Sequence, residues 1–223
     1  MDSDDTATGT DPSRPPVDRA TVSRDLPPLL IVLVVTILAW CSANGMWSMA
    51  AWRLPTTYLD PVYSDFVGTC GHLKAMATGH FLPYGWKLVP DMGAPQGANW
   101  TIGPTPDELL LGFFGLLAKV FGLFPGFNIG VLLGHLAAAA AFYLVARAEG
   151  CATPWAGVGA LAFGLAPYLF AESPHHVNCL YAWHIPLFVP VWKWMAAEPG
   201  LPLGSRRFWL AIGVGFLTGL QNP

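Results

Sequence analysis

Apolar stretches of membrane length, nearly free of charge, constrain this chain more than any other feature. The hydrocarbon core of a bilayer is about 30 Å thick and takes roughly 20 apolar residues in a helix. Pro28 to Ala50, Gly126 to Ala146, Pro154 to Ala171 and Leu180 to Ala196 meet or nearly meet that length. Phe208 to Leu220 is a fifth stretch, cut short by the end of the chain. Beyond Leu109 the only acidic residues are Glu149, Glu172 and Glu198. Charged residues make up 11% of the chain, where soluble domains carry about 25%. The expected fold is therefore all-α: a polytopic transmembrane helix bundle, integral to a plasma or inner membrane and multi-pass, with amphipathic interfacial helices in its first extracytoplasmic loop.

What precedes the first stretch is of another kind. Met1 to Asp25 holds six of the fourteen acidic residues among Thr, Ser, Pro and Arg, without apolar periodicity, which is the composition of a disordered tail. Leu26 to Ala51 is too long for the apolar region of a signal peptide and ends without a small-residue cleavage motif, so it is expected to remain as the first membrane helix. Residues 26–223 then form one membrane module behind a cytoplasmic tail of residues 1–25, with a first outer loop over about 52–125. Cys41, Cys70, Cys151 and Cys179 lack ligand-like spacing, which disfavours zinc. Cys70 and Cys179 fall on the same side and are read as free thiols rather than as a disulfide. The chain stops at Gln221-Asn222-Pro223, inside or at the end of a helix, which predicts that it is an N-terminal fragment, or a truncated gene product, of a larger polytopic protein.

Glu108 to Phe124 decides the topology. Arg and Lys near helix ends are enriched on the cytoplasmic side. If this segment lies in the outer interface without crossing, Arg14, Arg19, Arg24, Arg147, Lys193, Arg206 and Arg207 all fall inside, and only Arg53, Lys74, Lys87 and Lys119 fall outside. If it crosses, Arg147, Lys193, Arg206 and Arg207 move outside and the bias disappears. An interfacial or re-entrant helix is therefore expected there.

That arrangement puts two polar segments on the outer side, the loop Trp52 to Pro106 and the connection Glu172 to Asn178. The loop carries Asp60, Asp65, Asp91, His72 and His80, and the aromatics at or beyond the outer end of the first helix, Trp47, Trp52, Tyr58, Tyr63, Tyr84, Trp86 and Trp100, suit a membrane interface. Val62, Phe66, Cys70, Leu73 and Ala77 recur at three- and four-residue spacing, predicting an interfacial helix with Asp65, Thr69 and His72 on its polar face. Asp60 precedes Pro61 just before that helix, where Asp is a favoured N-cap and Pro a favoured first residue. An ionised carboxylate in the same place is also a candidate general base toward a hydroxyl. Asp91 lies among consecutive turn signals, and Asn99-Trp100-Thr101 matches a glycosylation sequon.

In the second segment His175, His176 and Asn178 offer hydrogen-bond donors to an anionic group. A metal there would need a third ligand such as Asp60 or Asp65, and none is expected. Within the apolar stretches Asn44, Asn128, His135 and His184 are the polar groups, which in membranes face the protein interior, where they are functional or paired. Close helix packing is the reading for His135, on a helix with Gly130 and Gly134. Pro186 and Pro190 are expected to kink or loosen the helix that follows His184.

The order Leu59-Asp60-Pro61, Gly93-Ala94-Pro95-Gln96-Gly97, the apolar Leu109 to Phe124, and Gly126-Phe127-Asn128 opening a helix that ends at Tyr143 to Arg147 resembles polytopic membrane glycosyltransferases of the GT-C fold. Ala162 to Tyr168, His176, Asn178 and Trp183-His184-Ile185-Pro186-Leu187 look like the following helices of the same family. The resemblance covers about Leu26 to Met195, through short and degenerate motifs. It implies transfer of a sugar from a polyprenyl-phosphate donor to an extracytoplasmic lipid or glycan acceptor, amid membrane lipids, with no cofactor and no nucleic-acid partner. By position it implies that Asp60, or Asp65 as the alternative, is the catalytic carboxylate. His72, His175, His176 and Asn178 are then the candidate substrate-binding residues. The chain departs from many members in lacking an adjacent acidic pair. Two other readings stand beside this one: a transporter or flippase segment whose path is lined by His135 and His184, and a catalytically inactive membrane fragment.

Overall fold

A computed structural model of the chain describes residues 19–56, 66–80, 88–89, 96–99, 108–172, 176–197, 200 and 202–221. Helices dominate them. In chain order they are α1 (Arg19–Asn44), α2 (Met49–Trp52), α3 (Phe66–Ala77), α4 (Glu108–Phe121), α5 (Leu123–Ala148), α6 (Thr153–Gly164), α7 (Pro167–Glu172), α8 (Val177–Leu180), α9 (His184–Ala197) and α10 (Arg206–Gln221). One small antiparallel ladder joins them, β1 (Leu88–Val89) with β2 (Ala98–Asn99).

Among the described residues three helices are long and apolar enough to cross a membrane: Arg24–Asn44 of α1, α5, and Thr153–Glu172, which comprises α6 and α7. The fourth expected stretch, Leu180 to Ala196, is not one helix. Leu180 is the last residue of the short α8, Tyr181, Ala182 and Trp183 lie outside any helix, and α9 covers the remainder with only 14 residues. The cause is long-range, because the Tyr181 hydroxyl donates to Gly130 O of α5 at 2.9 Å and its ring packs on Phe113 and Phe114. Pro186 then falls in the first turn of α9, where a missing N–H does no harm, and only Pro190 lies deep inside it. α10 has 16 residues and likewise falls short of a full span.

The ends of α1 also differ from expectation. Its helix begins at Arg19, inside the stretch expected to be a disordered tail, and stops at Asn44 rather than Ala50. Gly45 terminates it: at φ 65° it takes the left-handed conformation glycine adopts without strain. Met46 N then reaches back to Cys41 O at 2.8 Å, closing a Schellman turn.

α5 is the central element. Half of its most apolar window is buried inside the protein, against 22% for the other two long helices. α1 runs antiparallel to it, since Arg147 near the C-terminus of α5 holds Asp25 near the start of α1 at 2.8 Å. At the opposite end Asn128 of α5 bonds to Trp52 and Leu54, just beyond α1.

α4 turns back on α5 through Gly122. A Cβ at Gly126 would stand 2.5 Å from Ala118 N, and one at Gly130 would strike the Phe114 ring. Small residues at such seams let two helices meet at backbone distance. α4 therefore lies antiparallel along the first half of α5. At about 1.5 Å per residue its 14 residues extend about 21 Å, so Glu108 is level with the middle of α5. Residues 45 to 122 thus leave and return at one end of the packed helices. At the other end Lys193 of α9 pairs with Glu149, close to Arg147.

Candidate functional site

One hydrophobic cluster organises the end of the molecule from which the 45–122 segment departs. Trp40, Cys41 and Met46 from α1 and its turn meet Leu73 and Met76 of α3, Leu110, Leu111 and Phe114 of α4, Phe127 and Val131 of α5, and Leu180 and Tyr181. The two polar segments expected to converge are thus attached to a common core, the loop through α3 and the second segment through Leu180 and Tyr181.

The expected helix in the loop is present as α3, with Leu73 and Met76 fully buried. Burial is not confined to one stripe, however. Ala75 is buried too, and Thr69 and His72 on the expected polar face are half-buried. α3 leans on α4, with Met76 seated directly over Gly115. Helix periodicity identified the element, and it missed Met76 because a helix wedged between neighbours is covered on more than its apolar side.

His72 lies on α3 with Nδ1 2.7 Å from Gly68 O, one turn back. His80 closes the same helix, its N–H donating to Ala75 O at 3.1 Å. Cys70, partly buried against the cluster, has its thiol pushed up to about 11 by burial. All four cysteines are free thiols.

His176 is exposed and stands just before α8. Its N–H donates to Glu172 O at 2.7 Å, and its Nε2 lies 3.8 Å from Glu172 Oε2. Asn178 lies on α8. Asp60, Asp65, Asp91 and His175 lie outside the described residues, as does the side chain of Asn178. The structure therefore gives the anchors on either side of residues 57–65, with Thr56 before them and α3 after.

The polar groups of the long helices are each accounted for differently. Asn44 donates to Trp40 O within its own helix at 2.9 Å, and His184 Nδ1 is 2.9 Å from Tyr181 O. His135, fully buried, has Nδ1 2.7 Å from Gly164 O and its ring 4.7 Å from that of Phe170. Gly164 is the last residue of α6, before the break that precedes α7, so its carbonyl is among those a helix end leaves without an intrahelical donor. His135 therefore satisfies a carbonyl left without its helical donor by the break.

Asn128, also fully buried, turns its amide outward across the package. Nδ2 donates to Trp52 O at 3.1 Å and to Leu54 O at 2.8 Å, while Oδ1 has no partner, and neither does buried Thr56 Oγ1 nearby in the chain. Exchanging the amide's O and N would set oxygen against two carbonyl oxygens, so the observed orientation is the one the contacts allow. Leaving a buried acceptor unpaired costs about 1–3 kcal/mol, and Asn128 carries that penalty to make its two donor contacts. As a polar residue in an apolar helix it was visible in the sequence, but its role in holding the loop was not.

No protein family, curated protein or solved structure matches the chain.

Proposed function

We propose that this chain is the membrane module of a GT-C-like glycosyltransferase that takes a sugar from a polyprenyl-phosphate donor. The observation that carries the reading is the shared cluster at one end of the membrane-length helices, which ties the carboxylate-bearing loop and the His176 segment to the same core. In this reading the helices form a polytopic bundle, the Asp25–Arg147 end faces the cytoplasm, and α4 is a re-entrant helix in the outer half of the membrane. The flanks of residues 57–65, Thr56 and α3, then lie at the outer interface.

The chemistry is a displacement. Asp60, with Asp65 as alternative, accepts the proton of the acceptor hydroxyl while its oxygen bonds to the anomeric carbon. Polyprenyl phosphate leaves with the electrons of the broken C–O bond, and His72, His175, His176 or Asn178 hold the phosphate. An Asp60→Asn variant of the protein in its native membrane, assayed for transfer from a polyprenyl-phosphate sugar, is expected to lose about 10²- to 10⁴-fold in rate, the contribution of a positioned general base. Full activity in that variant excludes the base role.

A transporter segment is the second reading, favoured by one observation: His135 sits fully buried at the break between α6 and α7, and transporters bind substrate at broken helices near mid-membrane. Such a protein depends on His135 and is indifferent to Asp60, so the same variant separates the two.

A further inference from the structure

We infer that His135 is a positioning residue that sets, through α7, where His176 stands; this rests on the reading of His176 as a ligand of the donor phosphate. His135 is fully buried on the innermost helix of the package. Its Nδ1 lies 2.7 Å from Gly164 O, 29 positions away in sequence. A carbonyl can only accept, so the contact places the proton on Nδ1. Gly164 is the last residue of α6, and Leu165 and Ala166 intervene before α7 begins at Pro167. The buried end carbonyl needs a donor from outside the helix, and His135 supplies it. The same imidazole packs on the ring of Phe170, 4.7 Å away on the far side of the break. Along α5 from His135, Ala138 packs with Leu169 of α7 and with Ala182. One side chain of α5 therefore holds the end of α6 and the body of α7 together, and the angle between them is set from α5.

The consequence is carried along α7. Its six residues extend about 9 Å, and its last turn holds His176. Glu172 O accepts the His176 N–H at 2.7 Å, and Glu172 Oε2 lies 3.8 Å from His176 Nε2, so one residue of α7 fixes both backbone and ring. Tyr168, one turn earlier, is hydrogen-bonded to Cys179 of α8, and the Cys179 N–H donates to His176 O at 3.0 Å. His176 is thus tied to α7 directly and again through Cys179. A tilt of α7 at its foot moves His176 with it. An imidazole serves a phosphate only with its N–H in line with a phosphate oxygen, because charge-assisted hydrogen bonds are short and directional. His135 touches no part of the donor and acts through α7.

The test measures binding of a polyprenyl phosphate and of the corresponding polyprenol to the full chain in lipid nanodiscs. The polyprenol lacks the group that His176 holds, so the ratio of the two affinities separates the phosphate contact from the fit of the lipid tail. His135→Leu keeps a side chain of similar volume and removes the donor; His135→Asn places an amide N–H close to where Nδ1–H stood. His135→Leu is expected to weaken polyprenyl phosphate about tenfold, the worth of one hydrogen bond to a charged group, with polyprenol within about twofold of the parent. Amide exchange over Leu165 to Glu172 should accelerate, exchange in α1 and α5 should stay as it was, and His135→Asn should recover most of the phosphate affinity. Unchanged exchange over Leu165 to Glu172 in His135→Leu overturns the hold on the break. Faster exchange there with the parent's affinity ratio, or a general rise in exchange with both ligands weakened, overturns the positioning role. Should His135→Leu fail to fold, Phe170→Leu loosens the same contact from the side of α7, and the parent's ratio in that variant overturns the role as well. His176→Ala tests the reading underneath: an unchanged ratio there sinks His176 as a phosphate ligand and the positioning role with it, while the exchange data still report whether His135 holds the break.

Discussion

Cys70 shows how a single residue's surroundings can be turned into a measurement. Its thiol is partly buried against the cluster at the loop end, and burial disfavours the thiolate, lifting the pKa to about 11. A folded-state pKa above the unfolded one means the stabilising contribution is complete below about pH 9 and disappears as pH rises through about 11. The thiolate is the reactive form. At pH 8 about one Cys70 in a thousand is ionised, against about one in eleven for a thiol at its unperturbed 9.0. Alkylation followed by mass spectrometry should therefore find Cys70 about a hundredfold slower than the same cysteine in denaturant at pH 8, with the rate climbing tenfold per pH unit. A plateau already at pH 9 contradicts the burial. The membership of Cys70 in an apolar stripe was legible from the three- and four-residue spacing. The job of Asn128 was not, because a sequence marks a polar residue in an apolar helix without naming a partner more than 70 positions away.

At the scale of elements, closeness between α4 and α5 is what makes the first a half-length companion of the second. Any side chain at Gly126 meets the Ala118 backbone, its Cβ coming within 2.5 Å of the nitrogen. Main chain cannot yield as a flexible side chain does. Gly126→Ala is therefore expected to lower stability by about 1–3 kcal/mol, the range for overpacking a close contact. Gly213 of α10 provides the control, since a Cβ there finds nothing within 4 Å. Gly213→Ala should leave stability unchanged or raise it by up to about 1 kcal/mol, the difference in helix propensity. Thermal unfolding of both variants in one detergent gives the comparison, and equal shifts would mean the α4–α5 seam is looser than described. Element boundaries escaped the sequence reading even where local chemistry sets them, as with Gly45, which closes α1 at Asn44, short of the expected Ala50. A distant contact likewise hid the start of α9, which comes at His184 rather than the expected Leu180, beyond the Tyr181 that bonds to Gly130 O.

For the whole molecule, the central question is which way the packed helices face a bilayer. α1 and α5 are antiparallel, fixed at one end by Asp25–Arg147 and at the other by Asn128 on Trp52 and Leu54. The chain from 45 to 122 begins and ends at the same end, so in a membrane it crosses an even number of times. A re-entrant α4 satisfies this with no crossing, and a single crossing by Glu108 to Phe124 does not. Lys119, exposed near the α4–α5 turn, then shares a side with the outer loop. Arg206, exposed at the start of α10, follows α9, whose Lys193 pairs with Glu149 at the opposite end. In the proposed reading the excess of Arg and Lys there puts that end in the cytoplasm. With the native cysteines replaced by serine, a Lys119→Cys protein in intact cells should react with a membrane-impermeant maleimide. Arg206→Cys should react only after permeabilisation. The reverse pattern inverts the orientation and removes the outer loop from extracytoplasmic chemistry. Labelling of both sites from outside breaks the even-crossing argument itself, because the two residues would then share a face that the Asn128 and Arg147 contacts place at opposite ends of α5.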